Sequence, residues 1–381
     1  GASASAGGNT TVLWQGPSAS AGYTLLTANG AASQTAGTAS TNNAFGAAAL
    51  YYNTGSANTA MGHTSLYNNS TGANNTAQGF QSLFNNTTGN NNFAVGNGSL
   101  QANTYGSNNF AAGCAALCGN TTGSNNVAIG NNALYSNTYG CTNFAHGMQT
   151  LYSNTTGCNN FASGFNTLNK NTTGCNNFAQ GYMALYCNTS GKNNFAIGWC
   201  ALFSNTTGCN NFAQGYKALF CNTSCSNNTA IGLCTLYSNT TGGNNTAIGN
   251  LALLNNTTGC NNTAIGYNTL YCNTSGYNNI AFGANSLYCN TTAINNIGQG
   301  YKSLYSINTG SCNIAFGCCA AYTLTGGSNN IVIGNGADVS SATVSNEITL
   351  GSTSIVSTRL RGLVQFNASI IEQGNVTATA A

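Results

Sequence analysis

Apolar and polar positions recur along this chain every 17 residues, a period too long for a lone strand or helix. From Gly62 to Gly334 a glycine stands at every seventeenth position without a miss, Gly130, Gly198 and Gly266 among them. Counting that glycine as position 0, alanine occupies position −2 in 15 of 17 repeats and leucine occupies +4 in 15 consecutive repeats, including Leu134, Leu202 and Leu270. Asparagine fills −4 in all 17 repeats, as at Asn126, Asn194 and Asn262, and +7 in 14 of them. A strict period without insertions is the signature of a solenoid, in which each repeat is one unit stacked on the last. Two short segments of each repeat have strand character, Asn-Thr-Ala-Ile and Ala-Leu-Tyr, and each is bounded by Asn and Gly, which turn chains. The expected fold is therefore all-β, a parallel β-roll or β-helix solenoid. Turns about 4.8 Å apart would make a rod on the order of 80 Å long.

Stacking assigns each position a task. The Ala and Leu columns point into a narrow interior, the glycine supplies a positive φ or a close backbone approach, and stacked asparagines form amide ladders along the axis. Strand alternation puts −3 and −1 on the face opposite alanine. Position −3 changes in blocks: Phe93, Phe110, Phe144, Phe161, Phe178, Phe195 and Phe212, then three threonines, then isoleucines. A row of phenylalanines facing water is the kind of patch that marks an interface. This row is the candidate self-assembly face, and a homotrimer is the expected assembly.

Charge removes most chemistry. The 381 residues contain three carboxylates, Asp338, Glu347 and Glu372, so residues 1–337 have none. Paired-carboxylate glycoside hydrolysis and carboxylate calcium loops cannot be built in the repeats, and a Ser-His-Asp triad lacks its acid. His63 and His146 sit at unrelated positions. The expectation is a non-enzymatic protein with no cofactor, catalytic centre or metal. Four lysines spread over the repeats do not form the basic stripe that nucleic acid needs. No run of about 18 apolar residues is present to insert into a membrane.

Seventeen cysteines, some in register, offer a candidate disulfide ladder at Cys141, Cys158 and Cys175. Small buried thiols are the plainer reading. Asn-x-Ser/Thr sequons recur at +7, from Asn69 to Asn290; the plain reading is a turn in which Asn caps and Thr bonds the backbone, with glycosylation as the alternative. Thr172, Thr189, Thr206, Thr223, Thr240, Thr257 and Thr274 form one regular row, which raises ice binding as a minor reading.

The stretches NNTAIG (Asn227–Gly232, Asn244–Gly249, Asn261–Gly266) and NNVAIG (Asn125–Gly130) resemble the head repeat of trimeric autotransporter adhesins. That family's turn is usually 14 residues, so these turns carry three more, in the Asn-Thr-Thr-Gly corner. The longer turn resembles the shafts of phage and giant-virus tail fibres. Ser345–Val364 resembles the segment that precedes an endosialidase-type intramolecular chaperone in such fibres. The resemblance implies a left-handed trimeric roll, extracellular on a virion or cell surface, whose partners are copies of itself and a cell-surface glycan or receptor. A viral tail-fibre shaft is the leading expectation; a bacterial adhesin head and a self-assembling surface filament are alternatives. The start at Gly1 without Met suggests a processed product or a fragment. Residues 1–42, rich in Ala, Ser and Gly, read as a connector or attachment segment, 43–334 as the shaft, and 335–381 as a cap or trimer-fastening element.

Overall fold

The computed structural model describes residues 12–13, 25–27 and 41–355. They form one all-β solenoid. Each repeat contributes a single three-residue strand, from β3 (Asn43–Phe45) and β4 (Thr59–Met61) to β20 (Ile331–Ile333) and β21 (Ile348–Leu350). Neighbouring strands pair in parallel and in register, so Ala162 lies beside Ala145 and Ala179, and Phe161 beside Phe144 and Phe178. β2 (Leu25–Thr27) joins this ladder beside β3, and β1 (Val12–Leu13) pairs with β2 in the antiparallel sense. The parallel ladder thus extends beyond the Gly62–Gly334 period by two strands at one end, β3 and β2, and by one at the other, β21. About 19 steps of roughly 4.8 Å give a rod about 90 Å long. Among the described residues no helix is long and apolar enough to cross a membrane.

The second expected strand, Ala-Leu-Tyr, does not form. Every leucine at +4 is left-handed instead, with φ of 52° at Leu134, 52° at Leu202 and 51° at Leu270, and the residue at +2 is left-handed too, as Asn132 at 55° shows. A branched residue at positive φ is strained by about 1–2 kcal/mol and persists only where its surroundings fix it. What fixes it here is the hydrogen bonding. Alternating hand points successive amides to opposite neighbours: Asn132 N donates to Cys114 O in the preceding turn (2.9 Å), and Leu134 N to Thr150 O in the following turn (2.9 Å). The side chains of Leu134, Leu202 and Leu270, and of the alanines at −2, are fully buried. The interior is one or two side chains wide, filled by Leu, Ala and a small residue at +3.

The rest of the interior is amide. The asparagines at −4 and +7 form two parallel ladders, both fully buried or nearly so. Asn126 donates from N and Nδ2 to Asn109 Oδ1 (3.0 and 3.1 Å), and from Nδ2 to Gly140 O (2.9 Å). Asn137, in the second ladder, donates Nδ2 to Asn120 Oδ1 (2.8 Å) and to the same Gly140 O (2.9 Å). Asn194 repeats the first pattern, reaching Gly208 O at 2.8 Å, and Asn262 donates N to Asn245 Oδ1 (3.0 Å) and Nδ2 to Gly276 O (2.8 Å). The glycine at +10 is therefore where the ladders meet. Its φ is ordinary, but a Cβ on Gly174 would lie 2.5 Å from Gly191 O and 2.7 Å from Asn188 Nδ2. The glycine at 0 is needed for conformation as well as space: φ runs from 132° to 144° at Gly62, Gly130, Gly198, Gly266 and Gly334.

The C-terminal end changes this chemistry. Glu347 occupies the −4 position in the last turn and donates its amide to Asn330 Oδ1 (2.9 Å). Its carboxylate turns away to accept from Ser340 N (3.0 Å), the Ser340 hydroxyl and Thr349 Oγ1 (2.8 Å). The Ser340 hydroxyl is the chief cause that holds its pKa below the usual carboxylate value. Of the segment 335–381 read as a cap, residues 335–355 are described, and they contain the strand Ile348–Leu350.

Two substitutions separate the glycine roles from the ladder. Gly181→Ala forces a side chain onto φ 128° and within 2.5 Å of Gly198 O, and should cost about 2 kcal/mol or more. Asn171→Ala, which orphans buried amide groups in both neighbouring turns, should cost about 1–3 kcal/mol. Chemical denaturation followed by circular dichroism measures both; a surface change such as Thr156→Ala should leave the midpoint nearly unmoved.

Candidate functional site: the outward rows

With the interior spent on the ladders, anything the rod recognises must be recognised by its outward rows. The sequence-predicted Phe row is brought together as a continuous stack. Centroid distances are 4.8, 4.6, 4.9 and 4.6 Å along Phe144–Phe161–Phe178–Phe195–Phe212, with planes 3–12° apart. Phe93 and Phe110 form a separate pair at 4.9 Å, and Val127 interrupts the row between them and Phe144. Each ring face covers the next, so the row shows mainly ring edges to solvent; Phe93 and Phe110 are 39% and 37% exposed. Stacking has removed part of the apolar surface that the sequence alone assigns to this face.

A more exposed row lies at +1, where sequence identity varies and gave no signal. Trp199 is 51% and Tyr216 46% exposed there, and Tyr182 stacks on Trp199 at 4.2 Å. A third row, at +5, stacks Tyr186, Phe203, Phe220 and Tyr237 at 5.1–5.3 Å, and later Tyr271, Tyr288, Tyr305 and Tyr322 at 5.1–5.2 Å. The lysines attach to these rings. Lys170 Nζ sits 5.2 Å from the Tyr186 centroid, and Lys217 lies 5.3 Å from Tyr216 and 5.4 Å from Phe220. Lys302 stands 5.3 Å from Tyr301 and 5.5 Å from Tyr305. In the absence of neighbouring carboxylates, ring faces are the partners these cations have.

The threonine and cysteine rows are tied into the frame. At +8, Thr138 O accepts from Thr121 N, Thr122 N and Gly123 N at 3.1, 3.1 and 3.2 Å and from Thr121 Oγ1 at 3.0 Å. Thr172, Thr189, Thr206, Thr223, Thr240 and Thr257 repeat the hydroxyl bond, so this row spends its donors inside the protein. Cys141, Cys158 and Cys175 share position +11 as free thiols. Cys158 Sγ accepts Cys141 N at 3.1 Å and Cys175 Sγ accepts Cys158 N at 3.2 Å. Serine does the same elsewhere in the row, Ser124 Oγ accepting Ser107 N at 3.0 Å. Cysteine and serine alternate there because each supplies one acceptor. The sequon asparagines belong to the +7 ladder and are fully buried; Asn154 Nδ2 spends both hydrogens, on Asn137 Oδ1 (2.8 Å) and Gly157 O (3.0 Å), and a glycan on Nδ2 would take one of them. That bears out the turn reading.

Three turns depart from glycine at the +10 corner, at Cys225, Ala293 and Val344, and in each the carbonyl still accepts the −4 asparagine amide (2.7, 2.9 and 2.8 Å). At Cys225 the Asn222 amide reaches the same carbonyl at 3.1 Å, but Thr223 N to Thr240 O lengthens to 3.4 Å, against 2.8 Å for Thr206 N to Thr223 O one turn earlier. The Cβ is accommodated by loosening the corner.

His63 stacks on Phe80 at 5.5 Å, and His146 Nδ1 lies 3.5 Å from Ser163 Oγ. Among the described residues no three of His, Cys, Asp and Glu gather closely enough to hold a metal ion. No known protein family matches the chain, nor does any curated protein or solved structure.

Cys225→Gly should restore the tight corner and raise stability by about 0.5–1.5 kcal/mol, the worth of a recovered hydrogen bond, measured by the denaturation midpoint. Burial pushes the thiols of Cys187, Cys221, Cys272 and Cys289 up, whereas Cys114, Cys312 and Cys318 are exposed. At pH 8 iodoacetamide should therefore label the exposed three first, read by peptide mass mapping, with the half-buried four slower by about tenfold or more because the thiolate is the nucleophile.

Proposed function

We propose that the chain is a non-enzymatic extracellular attachment fibre, foremost the shaft of a viral tail fibre that presents or contributes to binding of a host surface, and that it works as a homotrimer. The observation that carries this reading is the unbroken parallel ladder: one turn repeated in register for about 90 Å, with every turn bonded to both neighbours. Such a body is stiff along its axis, because bending it lengthens main-chain bonds and two buried amide ladders together. It holds its ends at a fixed distance, which is the mechanical task of a shaft.

The trimer reading rests on the outward rows. The Phe row is apolar and supplies one residue per turn, so it can meet an identical row of a second chain without change of register. Few charges oppose close approach, since the formal net charge is +3 over 381 residues. Recognition by such a shaft would use repeated, weak contacts with a surface. Many equivalent rows raise the effective concentration of each further contact once the first is made.

Size-exclusion chromatography with light scattering, together with negative-stain electron microscopy, tests both parts. The expected result is a particle of three times 38.6 kDa, seen as uniform rods. A monodisperse monomer at micromolar concentration overturns the trimer, and compact particles without a long axis overturn the shaft.

A further inference from the structure

The stacked row at +5 has three interruptions, and two of them close themselves. At the first, Gln101 donates Nε2 to Gln81 Oε1 (2.7 Å) and Cys118 donates its thiol to Gln101 Oε1 (3.5 Å). At the second, Asn169 donates Nδ2 to Gln149 O (3.0 Å) and Asn166 Oδ1 (3.1 Å). The third is Leu254, whose side chain can make no such bond. There the surface opens into a groove of about 450 Å³, lined by Tyr216, Lys217, Tyr237, Ser238, Leu254 and Asn255 among others. It is the one place along the row where the period fails and nothing polar fills the gap.

We propose that this groove binds one acidic pyranose, a carboxylate-bearing sugar ring of a surface glycan. The proposal deepens the attachment reading above by naming the ligand class, and it rests on that reading for its biological setting. Four features point to this occupant. Tyr237 stacks on Phe220 (5.2 Å, planes 4° apart) and lines the groove together with Leu254. An aromatic wall of that kind suits the apolar side of a sugar ring. Lys217 is held at the groove over the rings of Tyr216 and Phe220, and residues 1–337 contain no carboxylate to neutralise it. A carboxylate on the ligand would complete that charge. Around the rim, Ser238 offers a hydroxyl, and Asn255 commits Nδ2 to Tyr271 O (3.1 Å), which leaves its Oδ1 to accept from a sugar hydroxyl. The volume lies within the range of small-ligand sites and exceeds a single ring, so the neighbouring sugars of a chain have room.

The test uses the full chain, with D-glucuronate and N-acetylneuraminate as probes, D-glucose as the neutral control and benzoate as a carboxylate without a sugar ring. Saturation-transfer NMR detects binding and calorimetry or chemical-shift titration ranks it. Both acidic sugars should bind in the millimolar range typical of single weak contacts, about 10⁻³ M, and more tightly than glucose or benzoate. Lys217→Gln should reduce their affinity about two- to fivefold, as for loss of an exposed ion pair, and erase the preference over glucose. Leu254→Tyr should continue the ring stack, hold or raise the thermal midpoint, and abolish binding; its preserved midpoint separates a filled groove from a misfolded chain. Failure of both acidic sugars to bind, glucose binding as tightly as they do, benzoate binding more tightly, or binding that survives Leu254→Tyr each overturns the proposal. Uniform rods that ignore these sugars overturn this proposal alone, whereas a compact monomer that binds them keeps the groove and removes the fibre.

Discussion

Everything in this rod hangs on one carbonyl per turn. The glycine oxygen at +10 receives the side-chain amides of both asparagine ladders, as Gly140 O does from Asn126 and Asn137. Because both amides also reach the preceding turn's Oδ1, that single acceptor locks the two walls of a turn together and locks the turn to its neighbour. The interior is too thin for apolar burial to do this alone; beside the amides it holds little more than one leucine and two small residues per turn. Buried amides are costly when unpaired and directional when paired. A core made half of amide therefore fixes register more tightly than an equal volume of hydrocarbon, which tolerates sliding. The ladders hold register even across the 16-residue step from Gly46 to Gly62, where Asn58 N still donates to Asn42 Oδ1 and Asn69 Nδ2 to Asn53 Oδ1.

The architecture was legible in the sequence because the ladders leave a periodic trace. Gly62 through Gly334, the asparagines at −4 and the leucines at +4 announced a stacked turn, with alanine and leucine inside and the phenylalanines outside. The local geometry was less legible. Ala-Leu-Tyr has the composition of a strand, yet Leu134 and its equivalents are left-handed. Composition reports what a residue prefers alone, whereas here the inter-turn bonds of Asn132 and Leu134 outweigh that preference. The second glycine was visible as a recurrent letter, but its reason, a shared acceptor crowded by Asn188 and its like, is a property of two stacked turns and not of one segment.

The outward rows show the same division. The Phe row was predicted from position −3 and is present, but that ring faces would cover each other could not be read without the spacing of the turns. The exposed +1 row and the groove at Leu254 gave no sequence signal, since one leucine among tyrosines is an ordinary substitution until its neighbours are seen to stack. Conversely, the threonine row that looked like a surface lattice proved to be internal bonding, and the cysteine row proved interchangeable with serine.

The ladders also give the rod a direction. In each, the asparagine donates toward the preceding turn and offers its own Oδ1 to the next: at −4 the main-chain N–H does so from Asn75 through Asn330, and at +7 the side-chain Nδ2 does, as Asn137 to Asn120. A growing chain thus presents, at its most recently formed turn, a ready set of acceptors that the following seventeen residues are built to fill. Synthesis order and bonding order coincide, so the rod can template itself vectorially as it emerges, each finished turn serving as the mould for the next. Its two ends are chemically unlike, and any lengthwise joining that continues the ladders must be head-to-tail.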